Sequence, residues 1–330
     1  MPGIGLVLGA GGVVGHAFHA GVLAAVADAT GWDPRDAEVI VGTSAGSVVG
    51  ALLRAGASAP DLAARATGAP VSSAGRRLIA RAETGRGNLP PIPSRPEPRG
   101  RIPSMSAPGA LLRAARQPWN ARPAALAAAL LPEGRIPTEL VAAGLRPLFD
   151  EWPDAPLWIN AVQLDTGRRV TFGRDPERST TVADAVAASC AIPAFFEPVL
   201  VDGVRYVDGG VHSPTNADLV AGLELDLVVV SSPMSIAGNG LRVAPDQPAR
   251  RLARFTLARE VARVRRRGTP VLTFQPTATE VGVMGLNAMD ESRREPVTRG
   301  SYESALHRIA RADAGDRIAI LRSSASSRTA

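Results

Sequence analysis

The fold follows from two stretches near the start of the chain: residues 4–15 read IGLVLGAGGVVG, and residues 39–46 read VIVGTSAG. Each begins with apolar residues typical of a short buried strand and continues into a glycine-rich turn. Apolar residues recur at helical spacing over residues 15–29, and a second helix is predicted from the second turn to Leu53. Strand, turn, helix, strand, turn and helix in this order predict the beginning of an α/β fold with parallel strands.

The second half of the chain continues the alternation of strands and helices. Strands are predicted at residues 157–164, 169–172, 199–201, 205–207, 225–230 and 271–274. Helices are predicted at residues 182–189, 215–222, 247–267 and 301–312. Asp202-Gly203 resembles the signal for a type I′ hairpin turn. The sequence contains no internal repeat, so we expect one α/β domain.

The composition excludes several kinds of chemistry. All 37 basic residues are arginine, which excludes a lysine Schiff base, a pyridoxal anchor and a phosphate-loop lysine. Cys190 is the only cysteine, which excludes an intramolecular disulfide, a cysteine zinc site and an iron–sulfur cluster. The four histidines, at positions 16, 19, 212 and 307, have no companions that would complete a metal-ligand set. We therefore expect neither a metal nor a cofactor.

Residues 42–46, GTSAG, fit the Gly-x-Ser-x-Gly pattern of a nucleophile elbow. A buried strand is predicted directly before this pattern and a helix directly after it. A serine on such a sharp turn crowds the positions two before and two after it, where Gly42 and Gly46 have no side chain. The helix that begins beneath Ser44 also favours a developing anion. The alternative interpretation is a glycine-rich turn in which Ser44 only caps the helix.

The glycine-rich turn at residues 9–15 allows two functional interpretations. A dinucleotide-binding loop needs Gly-x-Gly-x-x-Gly, but a pattern that starts at the first glycine places Val14 at the third glycine. The acid that would hold a ribose is also missing from the next strand. An oxyanion hole needs backbone N–H groups, and those of Gly11, Gly12 and Val13 are suitable. A tight strand-to-helix turn without a function is the third interpretation.

A nucleophilic serine needs a base to accept its proton. A triad histidine would come late in the chain, where only His212 and His307 occur, and His307 is predicted to lie on a surface helix. Asp208 follows a predicted strand directly, at the kind of position where active-site residues gather in α/β sheets. A carboxylate can take this role if its surroundings raise its proton affinity. The alternative is a plain turn aspartate.

In order and spacing, these motifs resemble those of the patatin-like phospholipase family. The family's anion loop resembles residues 10–15, its serine elbow resembles residues 42–46, and its Asp-Gly-Gly motif resembles residues 208–210. Residues 188–196 resemble a segment that packs near the family's site. The resemblance covers residues 3–56 and about 157–275, and the intervening segment, 60–135, is where the family varies most.

The resemblance implies a single patatin-like domain over residues 1–330, with three α/β/α layers and a mainly parallel central sheet. It implies that Ser44 is the nucleophile and Asp208 the proton acceptor of a Ser–Asp dyad, which would explain why no triad histidine is evident. Gly11, Gly12 and Val13 would form the oxyanion hole. The remaining motif residues are Gly15, Gly42, Gly46, Gly209 and Gly210.

Two residues depart from the family's pattern. Ala10 stands where the family's loop usually has its first glycine, which is a small change because alanine is also small. Val14 stands where the family usually has arginine or lysine. If that cation supports the anion hole or binds phosphate, another arginine must replace it here, since the chain has no lysine.

The segment 60–122 is strongly basic. It contains 11 arginines against Asp61, Glu83 and Glu97, a net charge of +8, whereas the whole chain carries +6. Residues 85–109 contain seven prolines and four glycines, which predicts a loop rather than a helix or strand. Short amphipathic pieces are predicted on both sides of this loop, at residues 76–81, 110–116 and 124–131. Two interpretations remain open. In the first, residues 60–135 are an insertion that forms a lid and contacts an anionic membrane through residues 60–122. In the second, this segment is a solvated loop.

A second basic cluster at residues 250–267 adds eight arginines and one glutamate. Nucleic-acid binding is conceivable on charge alone, but Phe255 and Trp119 are the only aromatic residues in the two clusters, so stacking platforms are sparse. We do not expect a nucleic-acid partner.

We therefore expect a serine hydrolase that releases fatty acids from phospholipid or lysophospholipid esters. The alternative is a membrane- or lipid-binding protein on a patatin scaffold with weak or no hydrolysis, to which Val14 points. A nucleotide-binding oxidoreductase is a weaker third interpretation. No apolar run reaches the length of a secretory leader or a membrane span, so we expect a cytoplasmic protein with peripheral membrane contact.

Overall fold

The computed structural model of the chain describes residues 2–95, 130–175, 180–238 and 244–329. In this part, eight strands form one sheet in the order β5-β6-β3-β2-β1-β7-β8, and β4 pairs with β3 outside that path. The strands are β1 Ile4–Leu8, β2 Val39–Thr43, β3 Leu157–Gln163, β4 Arg169–Phe172, β5 Val199–Val201, β6 Val204–Asp208, β7 Leu227–Ser231 and β8 Val271–Phe274.

Five strands, from β3 to β8 along that path, pair in parallel, whereas β4, β5 and β6 are antiparallel to their neighbours. The predicted mainly parallel sheet is therefore confirmed. The helices are α1 Gly12–Thr30, α2 Ala45–Arg54, α3 Ala59–Thr67, α4 Ser73–Arg86, α5 Glu139–Ala142, α6 Val182–Ser189, α7 Gln247–Arg265, α8 Ala278–Met284, α9 Arg294–Ile309 and α10 Gly315–Thr329.

The central strands bury both of their faces, which explains why their sequences are continuous apolar runs. Successive side chains point to opposite faces: in β7, Leu227 and Val229 pack in one core cluster, and Val228 and Val230 pack in another. Residues of α1, α2, α6 and α9 fill the first cluster, and residues of α7 contribute to the second. Helices thus cover both faces, which confirms the three-layer α/β/α architecture.

Helix α1 is long and apolar enough to cross a membrane by length and composition, with a mean hydropathy of 1.3. In the described structure it is mostly buried, and its side chains pack in the same core cluster as those of the sheet and of α9. Its apolar character is therefore accounted for by its central place in the fold.

Two parts of the fold differ from the sequence-based prediction. The helix predicted at residues 215–222 is only a 3-10 turn, Ala217–Val220, which begins after Asn216 in the left-handed region at φ 53°. The last predicted helix is the second half of α9, and α3, α5, α8 and α10 were not predicted. Thr277 and Glu280 form a capping box at the start of α8, a sequence signal that could have revealed it.

The segment at 60–135 is described at its two ends. Helix α4 extends the basic amphipathic piece expected at residues 76–81, and both α3 and α4 pack beside the sheet domain. Residues 96–129, which include the predicted pieces at 110–116 and most of 124–131, lie outside the described residues. The lid therefore remains a prediction.

Candidate active site

Ser44 lies on the sharp turn between β2 and α2, with φ 52° and ψ −120°. A side chain at Gly46 would collide with the carbonyl oxygen of Leu8, and one at Gly42 would collide with the backbone of Ser47. The two glycines therefore allow the turn to pack against β1 while Ser44 adopts a backbone conformation that is costly for a residue with a side chain. This is the geometry expected of a nucleophile elbow.

Asp208 is the last residue of β6 and lies close to Ser44. The Asp208 carboxylate accepts a hydrogen bond from the backbone N–H of Gly210 at 2.7 Å. Burial raises the pKa of Asp208 to about 6, although the neighbouring Ser44 side chain and the Gly210 N–H act in the opposite direction. A carboxylate with this pKa is ionised at neutral pH and is a stronger base than an ordinary aspartate.

Strand β3 brings the two residues together from distant parts of the sequence. Asn160 of β3 pairs with Thr43, the residue before the serine, and the next residue, Ala161, pairs with Asp208. The ends of β2 and β6 therefore meet at consecutive positions of β3. This is the kind of strand end at which ligand sites form in open α/β sheets.

The glycine-rich loop lies between β1 and α1 and is fixed at both of its ends. The Ala10 N–H donates to the Pro214 carbonyl at 2.7 Å, and the Val14 N–H donates to the Ala288 carbonyl at 3.0 Å. Within the described ranges, no hydrogen bond occupies the backbone N–H groups of Gly11, Gly12 and Val13. These three donors are at the start of α1, where the helix dipole also favours an anion.

The profile of the family described as patatin-like phospholipase matches residues 6–221, more than half of the chain. The chain belongs to the patatin-like phospholipase family. Two solved structures are similar to it at low identity. VipD from Legionella pneumophila is 13% identical, with a TM-score of 0.39, and the match covers 93% of this chain and 66% of VipD. The type III effector protein ExoU is 17% identical, with a TM-score of 0.36, and the match covers 93% of this chain and 53% of ExoU.

The loop and the elbow of this patatin-like protein are joined through the carbonyl oxygen of Gly9. That oxygen accepts a hydrogen bond from the Gly46 N–H at 3.1 Å and from Nε2 of His19 at 2.8 Å. Burial lowers the pKa of His19 to about 4, so its ring is neutral at pH 7. Since the carbonyl can only accept, Nε2 carries the proton, and Nδ1 accepts from the Ser231 hydroxyl at 2.8 Å. His19 therefore positions the loop.

Three buried polar side chains hold the elbow: Ser189, which lies in the segment 188–196 expected near the site, and Asn160 and Asn216, which sequence reasoning missed. Ser189 accepts a hydrogen bond from the Ser44 N–H at 2.9 Å and donates to the Asn160 carbonyl at 2.6 Å. The Asn160 amide donates to the Gly42 carbonyl at 3.1 Å, and the Asn216 amide donates to the Thr43 hydroxyl at 3.1 Å. An asparagine within the apolar run LWINAVQ was the one available signal, because a buried amide needs partners.

The loop at residues 213–217 is held in turn by Glu260 of α7. One Glu260 oxygen accepts from the Thr215 hydroxyl at 2.6 Å and from the Ala217 N–H at 2.9 Å. Burial raises the pKa of Glu260, and these hydrogen bonds oppose that shift. The loop places Asn216, at φ 53°, against Thr43. Helix α7, from the second half of the chain, thus helps to position Ser44, from the first half.

Ser44 opens into a cavity of about 430 Å³, a size typical of a small-ligand site. Gly12 and Val13 of the glycine-rich loop line the same cavity. Most of the remaining wall is apolar, and its larger side chains are Val48, Leu52, Leu62, Leu78, Ile79, Ile92, Leu140, Val141, Leu145, Ile192, Phe196 and Met289. The arrangement suits an ester whose hydrocarbon chain lies along the apolar wall while its carbonyl meets the serine.

The two late histidines and the cysteine are not part of the Ser44–Asp208 dyad. His307 is exposed on α9, and His212 lies beside a different pocket with Asp218 and Glu260. The Cys190 thiol contacts Ser44 and Ser47, but burial raises its pKa to about 12, so it stays protonated. Among the described residues, no group of three metal-ligating side chains occurs.

Val14, at the position where the family usually has a cation, is buried in the hydrophobic core. The loop itself therefore contributes no positive side chain to the cavity at this position.

Proposed function

We propose that this protein is a serine hydrolase that releases fatty acids from lipid acyl esters, phospholipid or lysophospholipid, through a Ser44–Asp208 dyad. Membership of the patatin-like phospholipase family supports lipid hydrolysis. The observation that carries the assignment of the residues is the placement of Ser44, on its strained turn, beside a buried Asp208 of raised pKa.

The reaction begins when Asp208 accepts the proton of the Ser44 hydroxyl while the serine oxygen attacks the ester carbonyl carbon. The carbonyl oxygen becomes an oxyanion, which the N–H groups of Gly11, Gly12 and Val13 stabilise. When the carbon–oxygen bond to the leaving group breaks, the proton on Asp208 passes to the departing alcohol. This leaves the acyl group on Ser44 and restores the Asp208 carboxylate.

In the second half of the reaction, Asp208 accepts a proton from water, and the resulting hydroxide attacks the acyl carbonyl. The same N–H groups stabilise the second oxyanion. As the acyl–serine bond breaks, the serine oxygen takes the proton back from Asp208, and the fatty acid leaves. No metal or cofactor takes part in these steps, since the two residues and water balance every proton.

Fatty-acid release from lysophospholipid and from short-chain p-nitrophenyl esters tests this function. We expect the wild-type protein to hydrolyse these esters and Ser44→Ala to lose at least about a thousandfold in kcat, as nucleophile removal does in serine hydrolases. Ser73→Ala, which changes an exposed serine at the start of α4, serves as the matched control. Equal rates for wild type and Ser44→Ala would contradict the proposal.

A second candidate is a lipid-binding protein on the same scaffold with weak or no hydrolysis. The observation that favours it is the burial of Val14, which removes the usual loop cation from the site. In that case the folded wild-type protein would bind lysophospholipid but release no fatty acid.

We also propose that the protein is cytoplasmic and contacts anionic membranes through the basic segment 60–122. In the described part of this segment, Arg76, Arg77 and Arg81 are exposed on α4, the helix that also lines the cavity. Contact through α4 would bring the cavity close to its lipid substrate.

A further inference from the structure

Three arginines from three different helices line the cavity that contains Ser44. Arg65 is in the last turn of α3, Arg86 is the last residue of α4, and Arg294 is the first residue of α9. Arg65 remains accessible to solvent, and Arg86 and Arg294 are half-buried. The three arginines therefore lie where the cavity meets water. Ser44 and the apolar side chains line the rest of the cavity.

None of these three guanidinium groups forms a hydrogen bond or ion pair with a carboxylate in the described ranges of the chain. Arginines elsewhere are commonly paired, as Arg169 is with Asp218 at 2.7 Å. Burial lowers the pKa of Arg65, and the positive charges of Arg294 and Arg86 lower it further, whereas Glu83 acts in the opposite direction. Guanidinium groups that lie close together without a carboxylate partner are suited to binding an anionic ligand.

The other titratable groups of the cavity do not neutralise these arginines. Asp61 already accepts hydrogen bonds from the Ser58 hydroxyl and from the N–H and hydroxyl of Ser72. Glu291 is exposed at the rim. Burial and the charge of Arg294 lower the pKa of His16 to about 3, so this histidine is neutral. Three cations against two carboxylates leave a formal surplus of one positive charge in the lining.

The geometry points to an anion subsite: we propose that Arg65 and Arg294, assisted by Arg86, bind the phosphate group of the lipid ester that Ser44 hydrolyses. The acyl chain would lie along the apolar wall, the carbonyl at Ser44, and the phosphate at the water-facing arginines. Arginine suits this role because its planar fork donates two hydrogen bonds to phosphate oxygens. These helices would supply the positive charge that Val14 does not. This inference rests on the proposed function and specifies its substrate class, anionic phosphate-bearing esters.

A pair of short-chain substrates tests the subsite without micelles. Octanoyl lysophosphatidic acid carries a phosphate, and octanoylglycerol presents the same acyl chain without one. We expect Arg65→Gln and Arg294→Gln each to lower kcat/KM for the phosphate ester by about ten- to hundredfold, as the loss of a charged hydrogen bond does. The value for octanoylglycerol should stay within about twofold. Arg299→Gln, on the same helix but paired with Glu295 outside the cavity, should change neither value.

Equal losses for both esters, or no loss for the phosphate ester, would overturn the subsite while leaving hydrolysis at Ser44 intact. If the wild-type protein hydrolyses neither ester, the proposed function has failed, and binding decides the subsite separately. Calorimetry with the Ser44→Ala protein should then give at least tenfold tighter binding of octanoyl lysophosphatidic acid than of octanoylglycerol, and Arg294→Gln should abolish the difference. Equal affinities would overturn the inference. Inorganic phosphate that binds as tightly as the lipid would also overturn it, because the arginines would then recognise free phosphate rather than a substrate.

Discussion

Asp208 combines two properties that usually exclude each other: it is buried, and it is ionised at neutral pH. Burial disfavours its charged form, whereas the nearby Ser44 side chain and the hydrogen bond from the Gly210 N–H stabilise that form, so that the pKa is about 6. The raised pKa makes the Asp208 carboxylate a stronger base, and the burial of its charge lowers the free energy of unfolding. Each consequence can be measured.

The first prediction concerns the pH dependence of hydrolysis. Because Asp208 must be deprotonated to accept the serine proton, kcat/KM should fall as the pH drops through about 6, with a single apparent pKa near that value. The measurement is a pH–rate profile between pH 4.5 and 8 with a neutral p-nitrophenyl ester. A profile that stays flat down to pH 5 would exclude Asp208 as the base.

The second prediction concerns stability. The raised pKa means that the folded protein binds a proton at Asp208 more tightly than the unfolded chain does, so ionisation of Asp208 destabilises the fold as the pH rises from about 4 to 6. Asp208→Asn removes this penalty and should raise the free energy of unfolding at pH 8 by on the order of 3 kcal/mol. Denaturant unfolding at both pH values is the measurement, and the gain should shrink towards zero at pH 4. A variant less stable than wild type at pH 8 would contradict the account.

At the residue scale, the sequence predicts Ser44 and Asp208 because each lies in a short motif directly after a predicted strand, and the structure brings these two residues together. The sequence placed Ser189 only within a segment near the site, and it did not reveal Asn160 or Asn216; these three residues hold the elbow through hydrogen bonds to residues more than 100 positions away. Such contacts depend on which strands become neighbours, and a single sequence does not determine that.

Strand β3 is the element on which the site is built. It lies between β2 and β6, and Ser189 at the end of α6 bridges its Asn160 carbonyl to the Ser44 N–H. The elbow is therefore attached to β3 by hydrogen bonds beyond those of the β ladder. This attachment predicts how a change outside the dyad alters the reaction.

We expect Ser189→Ala to lower kcat by roughly ten- to hundredfold with little change in KM. The Ser44 backbone N–H loses the hydrogen bond that holds the elbow, while the cavity wall stays intact. The free energy of unfolding should fall by about 1–3 kcal/mol, since the buried Ser44 N–H loses its partner. Steady-state kinetics and denaturant unfolding measure the two effects. Ser324→Ala, at another buried serine, in α10, is the control and should leave kcat unchanged. Unchanged kcat in Ser189→Ala would mean that the bridge does not position Ser44.

At the element scale, the strands were predicted best because their apolar runs are bounded by turns. The bounds of β4 and β8 agree with the prediction at both ends. The antiparallel pairing of β6 with β3 was not predicted, because it joins strands more than 40 residues apart. Since β2 pairs with the other edge of β3, this pairing is what brings Asp208 to Ser44.

For the molecule as a whole, the net charge of +6 conceals an uneven distribution. The basic segment 60–122 and the arginines of α7 carry the excess, and both present exposed arginines in the described structure. If segment 60–122 contacts membranes, its arginines should each contribute about 1 kcal/mol to binding at an anionic surface.

The prediction is that the protein binds vesicles of phosphatidylglycerol and phosphatidylcholine, but not vesicles of phosphatidylcholine alone, and that binding weakens with salt. Joint substitution of Arg76, Arg77 and Arg81 by glutamine should weaken binding by tenfold or more in a sedimentation assay. The matched control replaces three exposed arginines of α7, Arg251, Arg259 and Arg263, and should have the smaller effect. A larger loss of vesicle binding in the α7 variant than in the α4 variant would place the membrane contact on α7 and contradict the proposal.

The central claim is that Ser44 is a nucleophile activated by Asp208, and covalent labelling with a fluorophosphonate tests it most directly. We predict that peptide mass spectrometry finds one adduct, on Ser44, in the folded wild-type protein, no adduct in Ser44→Ala, and labelling slowed at least tenfold in Asp208→Asn. An unlabelled Ser44 in folded protein, an adduct on another residue, or unchanged labelling in Asp208→Asn would contradict the account.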